Sequence, residues 1–362
     1  MIELDGSYGE GGGALVRVAL ALSALSGEEF KVENIRAGRE KDGLKAQHVA
    51  AIKALKKICN AQTNEVDVGS TSLWFKPGKI KSGRYEFDIG TAGSITLFLQ
   101  AIILPCLFAP AKVTITIKGG TCGKWQASVD YLQNVLLPLL RRFVEKIELR
   151  ILKRGYYPQG GGEVVLEISP RFSVGDLTLL PLLNQLNEKV VKIRLEEQGI
   201  LEQIRGVVNV SYELEEKQVA ERIKSAAING LNLLKVPVTI RAEYNRSLSI
   251  GGEVVLWAVF SGVNIDMINP QLLGSDALIE KNKSSEEVAQ EAVLELKEEI
   301  KSGASVDTHL ADQLIPFMGL LPESIILVRE VSDHVKTNIY VVEKFLKVQF
   351  EIENDKIKVK GL

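Results

Sequence analysis

Apolar and polar residues recur along the chain with the periods of helices and strands, and the first 80 residues already show the pattern. Val49, Ile52 and Leu55 are spaced to share one helical face, and an apolar run that Gly27 closes predicts a second, more buried helix. Five elements follow one another as strand, helix, strand, helix and hairpin, at 2–5, 14–26, 30–35, 44–59 and 65–76. This order predicts a βαβαββ unit over about 1–80.

The same order of elements returns twice. The second unit, about 81–170, is predicted at 85–89, 95–108, 113–118, 127–143, 146–153 and 163–169. The third, 171–180 plus 304–362, is predicted at 177–180, 308–320, 324–331, 334–346, 347–353 and 356–360. The fold class expected is therefore α+β, with three repeated βαβαββ units that form one large domain.

The third unit is interrupted after its first strand. The intervening segment, 181–303, is too long for a loop and shows strand and helix patterns of its own, at 191–195, 215–227, 236–243, 254–260 and 284–301. The sequence thus predicts a large catalytic domain from 1–180 and 304–362, with a small α/β domain inserted over 181–303.

Composition and charge narrow the classes of function. The formal net charge of −2 excludes a protein that coats long nucleic acids through overall positive charge, so any contact with RNA has to be local. The three cysteines lack C-x-x-C spacing, which favours a reducing cytoplasm. Prolines interrupt the most apolar stretch, 95–111, so we expect a buried helix rather than a membrane span, and no leader peptide is expected at the N-terminus.

Most of the unusual residues fall in loops that follow predicted strands. In parallel strand–helix–strand units these loops collect at the carboxyl edge of the sheet, where ligands usually bind. We therefore expect one shared site built from six loops, at 6–13, 36–43, 90–94, 119–125, 306–309 and 332–335.

The turn Gly6–Gly13 lies between a strand and a helix, where backbone amides and the helix dipole stabilise an anion. No Gly-Lys-Ser/Thr follows, so it is not a Walker A loop. Arg17 is the one charge of the next helix and favours a bound phosphate. A tight structural turn and an arginine that reaches the surface along the core are the alternatives.

A second basic group follows the second strand. Arg36, Arg39 and Lys41 lie within six residues, ahead of Gln47, and can receive a phosphate end, although basic runs are commonly just solvated. The glycines at 160–162 are better explained by close backbone approach than by chemistry.

The chain has three histidines: His48, His309 and His334. A neutral imidazole can attack the α-phosphate of ATP and form a phosphoramidate if its other nitrogen is held. On the residues alone any of the three could do so.

Several segments in order resemble the signatures of the RNA 3′-terminal phosphate cyclase family: LDGSYGEGGGALVR, IRAGREKDGLKAQH, IGTAGSITLFLQ, RGYYPQGGGEV, HLADQL and HVKTNIYVVEKF. The resemblance implies the fold described above. It also implies an ATP-dependent ligase that needs a divalent metal, Mg²⁺ or Mn²⁺, and that acts in RNA processing on RNA 3′-phosphate ends. The enzyme is adenylated on a histidine, transfers AMP to form RNA(3′)pp(5′)A, and closes a 2′,3′-cyclic phosphate.

The resemblance also assigns roles to residues of this chain. The adenylated histidine is His334, and the metal ligand is Glu10. The nucleotide-binding residues are Gln100, His309, Leu310, Ala311, Asp312 and Gln313. The residues around the reacting phosphates and the RNA end are Arg17, Arg36, Arg39 and Gln47.

The chain departs from the family pattern after Thr121, where it reads Cys122-Gly-Lys-Trp125, and two other functions remain open. One is a non-catalytic relative that acts as an RNA or ribosome-assembly scaffold, which would lack the histidine. The other is an enolpyruvyl transferase, which also contains βαβαββ units but needs a phosphoenolpyruvate site.

Overall fold

Helices and four four-stranded sheets make up the fold in a computed structural model that describes residues 1–175, 178–261 and 269–361. The mixed α+β class predicted from the sequence is confirmed.

The first sheet comes from the first 80 residues. Its elements are β1 (Ile2–Asp5), α1 (Ala14–Ser26), β2 (Phe30–Glu33), α2 (Ala46–Ile58), β3 (Gln62–Thr63) and β4 (Leu73–Lys76). The strands lie in the order β1-β2-β4-β3, with β1 and β2 parallel. Helix α1 is buried on all sides except at its end, where Gly27 adopts φ 79° and caps it in the left-handed conformation.

The second sheet has the corresponding strand order, β5-β6-β8-β7. Its elements are β5 (Gly83–Asp88), α3 (Ile95–Cys106), β6 (Val113–Gly119), α4 (Val129–Tyr131), α5 (Leu137–Leu140), β7 (Val144–Lys153) and β8 (Gly162–Pro170). The single helix predicted over 127–143 is instead broken by a π-helical turn, Leu132–Leu136. Pro138 follows directly in the first turn of α5, where its missing N–H is tolerated.

The strand predicted at 177–180 is wrong. Leu179 begins helix α6 (Leu179–Lys189), in which Leu182 and Leu186 share a buried face, while Leu177 lies outside the described residues. A leucine-rich run fits the period of a strand as well as that of a helix, and the burial of Leu182 and Leu186 on one face favours the helix. The strand that completes the third sheet is β9 (Arg194–Leu195), in a segment that the pattern assigned to the inserted domain.

The fourth sheet lies between β9 and the last elements of the chain. Its region contains β10 (Ile200–Ser211), α7 (Val219–Leu231), β11 (Val238–Asn245), β12 (Gly252–Ser261), β13 (Gln271–Leu278) and α8 (Ser285–Ser302). The strand order is β11-β10-β12-β13, and α7 and α8 pack on the sheet around a hydrophobic cluster of their own. Strands β10 and β13 were not predicted, and the limits 181–303 for an inserted domain stay a prediction.

The last elements are α9 (Thr308–Gly319), β14 (Ile325–Leu327), α10 (Asp333–Phe345), β15 (Val348–Glu353) and β16 (Lys356–Gly361). The third sheet has the order β9-β14-β16-β15, and β9 and β14 are parallel. Helix α1 packs against both α3 and α10, and α10 packs against α9. This packing brings helices of the first, second and third sheets together: α1, α3, α9 and α10. Among the described helices, none is long and apolar enough to cross a membrane.

Candidate active site

The turn between β1 and α1 is held against the loop after β2 by two glycines. Gly11 has φ 53°, and a Cβ there would lie 2.7 Å from the backbone nitrogen of Gly38. The Gly38 N–H donates a hydrogen bond of 3.1 Å to the Gly11 carbonyl. The contact needs glycine at both positions, and it fixes the relative placement of Glu10 and Arg39.

Glu10 lies at the centre of the site. Its carboxylate is 8% exposed, and Oε2 lies 3.1 Å from Nε2 of His334 and also accepts a hydrogen bond from Arg39. His334 lies in the first turn of α10, where Ser332 caps the helix by accepting a hydrogen bond from the Val335 N–H. Residues from the first and last parts of the chain thus meet at one carboxylate.

The contact between Glu10 and His334 shifts the pKa of both groups. The hydrogen bond that His334 donates to Glu10, together with the charge of Glu10, raises the pKa of His334 above its ordinary value. Burial raises the pKa of Glu10, but the hydrogen bond and charge of His334, followed by Arg39, outweigh it, so the net shift is downward. Glu10 is therefore an anion at neutral pH, and it favours the protonated form of the imidazole beside it.

Arg17 is buried rather than extended to the surface, with 8% of the residue exposed. Its Nε donates a hydrogen bond of 2.7 Å to Oε1 of Gln100, and Nη1 lies 3.4 Å from Nε2 of His48. Burial lowers the pKa of Arg17 to about 10, so it keeps its charge at neutral pH. Arg17 therefore does not reach the surface along the core, and its part in binding a phosphate stays a prediction.

His48 is a residue of the site to which no role was assigned. The Lys45 N–H donates a hydrogen bond of 2.9 Å to its Nδ1, and burial, followed by the charge of Arg17, holds its pKa well below the usual range. The neutral ring therefore carries its proton on Nε2, which faces Arg17. Two donors that face each other at this distance can share an acceptor such as a phosphate oxygen.

Arg36 and Gln47 lie at the margin of this group. The Arg36 guanidinium donates hydrogen bonds to the carbonyls of Lys41 and Gly43, at 2.6 and 3.2 Å, so it stabilises its own loop. Burial lowers the pKa of Arg36, and the charge of Arg39 lowers it further. Gln47 is partly buried in the first turn of α2, next to His48.

A pocket lies between α1, α3, α9 and α10, and it brings three of the six predicted nucleotide-binding residues together: Gln100, Asp312 and Gln313. The other polar residues of its lining are Arg17, Thr96 and Asn338. Burial raises the pKa of Asp312 to about 6.

Three residues predicted to bind nucleotide do not line this pocket. The side chains of Leu310 and Ala311 are fully buried in the hydrophobic core, so only their backbone could contact a ligand. His309 lies beside Glu295, with 4.0 Å between Nε2 and Oε1. Burial lowers the pKa of His309, but Asp307 and other acids outweigh it, and the net shift is upward.

Two more residues of α10 belong to the site. The Thr337 hydroxyl lies 3.4 Å from the Glu10 N–H and accepts from it, and Asn338 Nδ2 donates a hydrogen bond of 2.8 Å to the Asp312 carbonyl. They follow His334 by three and four residues, the spacing that places side chains on one helical face. That spacing could have identified them from the sequence.

The described residues contain no cluster of three or more side chains that could enclose a metal ion. Glu10 Oε1 is buried and has no hydrogen-bond partner among the described residues, so it can supply one ligand. A single carboxylate beside a triphosphate fits Mg²⁺, which usually keeps water and substrate oxygens as its other ligands.

The site opposes a histidine to a carboxylate, and comparison with known proteins gives the family. The family model described as RNA 3′-terminal phosphate cyclase matches residues 8–352. Proteins named RNA 3′-terminal phosphate cyclase are 40% identical in Archaeoglobus fulgidus (99% of this chain, 100% of the relative) and 41% in Pyrococcus furiosus (98% and 95%). A third such relative, from Methanosarcina barkeri, is 40% identical over 98% of this chain and 97% of its own. The chain belongs to the RNA 3′-terminal phosphate cyclase family, as the resemblance of its motifs predicted.

Proposed function

We propose that this chain uses ATP to convert an RNA 3′-phosphate into a 2′,3′-cyclic phosphate, with His334 as the residue that carries AMP. The 3.1 Å contact between His334 Nε2 and Glu10 Oε2 carries the proposal, in a chain whose relatives are named for this reaction. Of the three histidines, His334 alone has a carboxylate at hydrogen-bond distance from a ring nitrogen in the described part of the chain.

The first step forms a bond between Nε2 and the α-phosphorus of ATP and breaks the bond from that phosphorus to pyrophosphate. Nδ1 is buried, while the side chain is 45% exposed, so the accessible edge of the ring is the Nε2 edge. The Nε2 proton passes to Glu10 Oε2 before the bond forms, so that the lone pair of Nε2 is free and the remaining ring proton is on Nδ1. Arg17 and Arg39 stabilise the charge that develops on the phosphates.

The next two steps transfer the AMP and release it. An oxygen of the RNA 3′-phosphate attacks the same phosphorus, the N–P bond breaks, and RNA(3′)pp(5′)A forms. The neighbouring 2′-oxygen then attacks the RNA phosphorus and loses its proton, and the bond to AMP breaks. Arg36, Arg39 and Gln47 are proposed to hold the RNA end, and Arg17 with His48 Nε2 to hold a phosphate oxygen.

The nucleotide is proposed to occupy the region of Gln100, His309, Asp312 and Gln313, with backbone contacts from Leu310 and Ala311. A bound Mg²⁺ or Mn²⁺, with Glu10 Oε1 as one ligand, would neutralise triphosphate charge and assist departure of pyrophosphate. We also propose a cytoplasmic location, since the three cysteines are free and buried.

The test compares two histidine variants on a 3′-phosphorylated RNA with ATP. We expect His334→Ala to lower cyclisation by about 10³-fold or more, because the nucleophile is gone. His309→Gln keeps His334 and should retain measurable turnover. Equal unfolding midpoints would show that both variants fold. Near wild-type turnover by His334→Ala would contradict the proposal.

A further inference from the structure

A second cavity, of about 530 Å³, opens beside the nucleotide pocket, between the loops of the second sheet and the start of β12. Its lining includes Cys122, Gln126, Tyr156, Tyr157, Ile250 and Ile279. Gln126 lines this cavity, and the next residue, Ala127, lines the nucleotide pocket. The two spaces are therefore neighbours, and the second is large enough for a nucleoside.

Two aromatic side chains stand at this cavity in solvent. Trp125 is 94% exposed and Tyr157 is 80% exposed, the two most exposed aromatic rings among the described residues. Trp125 also has φ 61°, a conformation that costs a bulky residue energy and is a common mark of functional segments. Exposed aromatic rings of this kind are the usual stacking platforms for single-stranded RNA.

The interior of the cavity holds polar atoms that lack partners. Gln126 Oε1 and the Tyr156 hydroxyl are buried without a hydrogen bond to any described residue. Tyr156 is 3% exposed, so its hydroxyl has lost water without gaining a protein partner. Gln126 Oε1 can accept a hydrogen bond and the Tyr156 hydroxyl can donate one, so both can pair with the polar edge of a planar ligand.

The charge of the cavity favours a base over a phosphate. Lys124 lies in the lining, but its Nζ is 3.0 Å from Oε2 of Glu280, which also lines the cavity. Because this cation is already neutralised, an anionic ligand gains little from it. A neutral aromatic ring can stack on Trp125 or Tyr157 with no such requirement.

We propose that this cavity binds a nucleobase of the RNA strand on the 5′ side of the terminal nucleotide. Trp125 and Tyr157 stack on the base, while Gln126 and Tyr156 hydrogen-bond its edge. The inference rests on the proposed cyclase function and adds the site that holds the body of the RNA. It also gives a role to the Cys122–Trp125 segment, where the chain departs from the family pattern.

The test compares two substrates, a 3′-phosphorylated RNA of about ten nucleotides and a nucleoside 3′-monophosphate. We expect Trp125→Ala and Tyr157→Ala each to raise KM for the longer RNA about fivefold, the loss of one stacked base, with little effect on the short substrate. Leu233→Ala, which removes an equally exposed side chain outside the cavity, is the matched control. An unchanged KM for the longer RNA in both aromatic variants would overturn the proposal.

A binding measurement separates this proposal from the proposed function. A 3′-hydroxyl RNA cannot react, but it should quench the fluorescence of Trp125, and Trp125→Phe should lose that quenching. If the wild-type protein binds RNA in this way yet makes no cyclic phosphate, the proposed function fails and the base site stands. If it cyclises RNA but Trp125 reports no binding, the base site alone is wrong.

Discussion

The group of side chains around Glu10 and the second cavity differ in their chemistry. The side chains around Glu10 are charged or titratable: His334 and Arg39 contact one carboxylate, and Arg17 is buried nearby. At the second cavity the one lining cation among the described residues is already paired, and the exposed groups are aromatic. On the roles proposed above, the reacting phosphates and the RNA strand use separate surfaces. The first must stabilise charge that develops during reaction, and the second needs only sequence-tolerant stacking.

Among the variants that test this comparison, Glu10→Gln is expected to have the largest effect on activity. Loss of the proton acceptor should slow enzyme–AMP formation about 100-fold or more. In the wild type, the rate should fall as pH drops through the raised pKa of His334, because the protonated imidazole cannot attack. Without the Glu10 charge that pKa falls, so the acid limb should move to lower pH.

A pH–rate profile of label incorporation from α-labelled ATP measures both effects. Trp125→Ala is the control, since it should leave the profile in place. An acid limb that does not move in Glu10→Gln would mean that the carboxylate does not set the titration of His334.

A buried ion pair next to the second cavity offers a test through protein stability rather than through activity. Arg154 pairs with Asp130 and lies 3.4 Å from Glu253, and all three side chains are buried. Arg154→Ala would leave two carboxylates buried without their cation, so we expect a loss of about 3–5 kcal/mol in the free energy of unfolding.

Urea unfolding measures that loss, and Arg150→Ala is the matched control. Arg150 forms an exposed pair with Glu167 at 3.0 Å, where solvent screens the interaction, so little change is expected. Equal destabilisation by the two variants would contradict the role given to the buried pair.

The smallest effect is a difference in salt dependence. Arg39→Ala should weaken use of the RNA end about tenfold at low salt, and the defect should shrink as ionic strength screens charge. The KM ratio between Trp125→Ala and the wild type should stay constant, because stacking involves no net charge. The same salt dependence in Arg39→Ala and Trp125→Ala would contradict the difference drawn here between the group around Glu10 and the second cavity.

Local patterns predicted the parts of the fold that local forces decide. Helix α1 has the predicted bounds, because one apolar run ends at a glycine that caps it. The strand at 177–180 failed because leucines there fit either period, and burial of Leu182 and Leu186 selected a helix. The π turn in 127–143 depends on packing that periodicity does not encode.

For the site, three of the six predicted loops, 6–13, 36–43 and 332–335, meet at Glu10. Residues of 90–94 and 119–125 line the second cavity instead, and the sequence could not indicate which atoms would be in contact. Glu10 and His334 lie near opposite ends of the chain, and their contact exists only because α1 packs on α10. The orientation of His48 was equally hidden, since it depends on a backbone N–H from Lys45 and on the neighbouring Arg17.

The most direct test is the identity of the adenylated residue. The protein would be incubated with ATP and no RNA, digested under conditions that spare a phosphoramidate, and mapped by mass spectrometry. The account predicts AMP on the peptide that contains His334 and on no other. AMP on His309 or His48, or on a lysine, would contradict it.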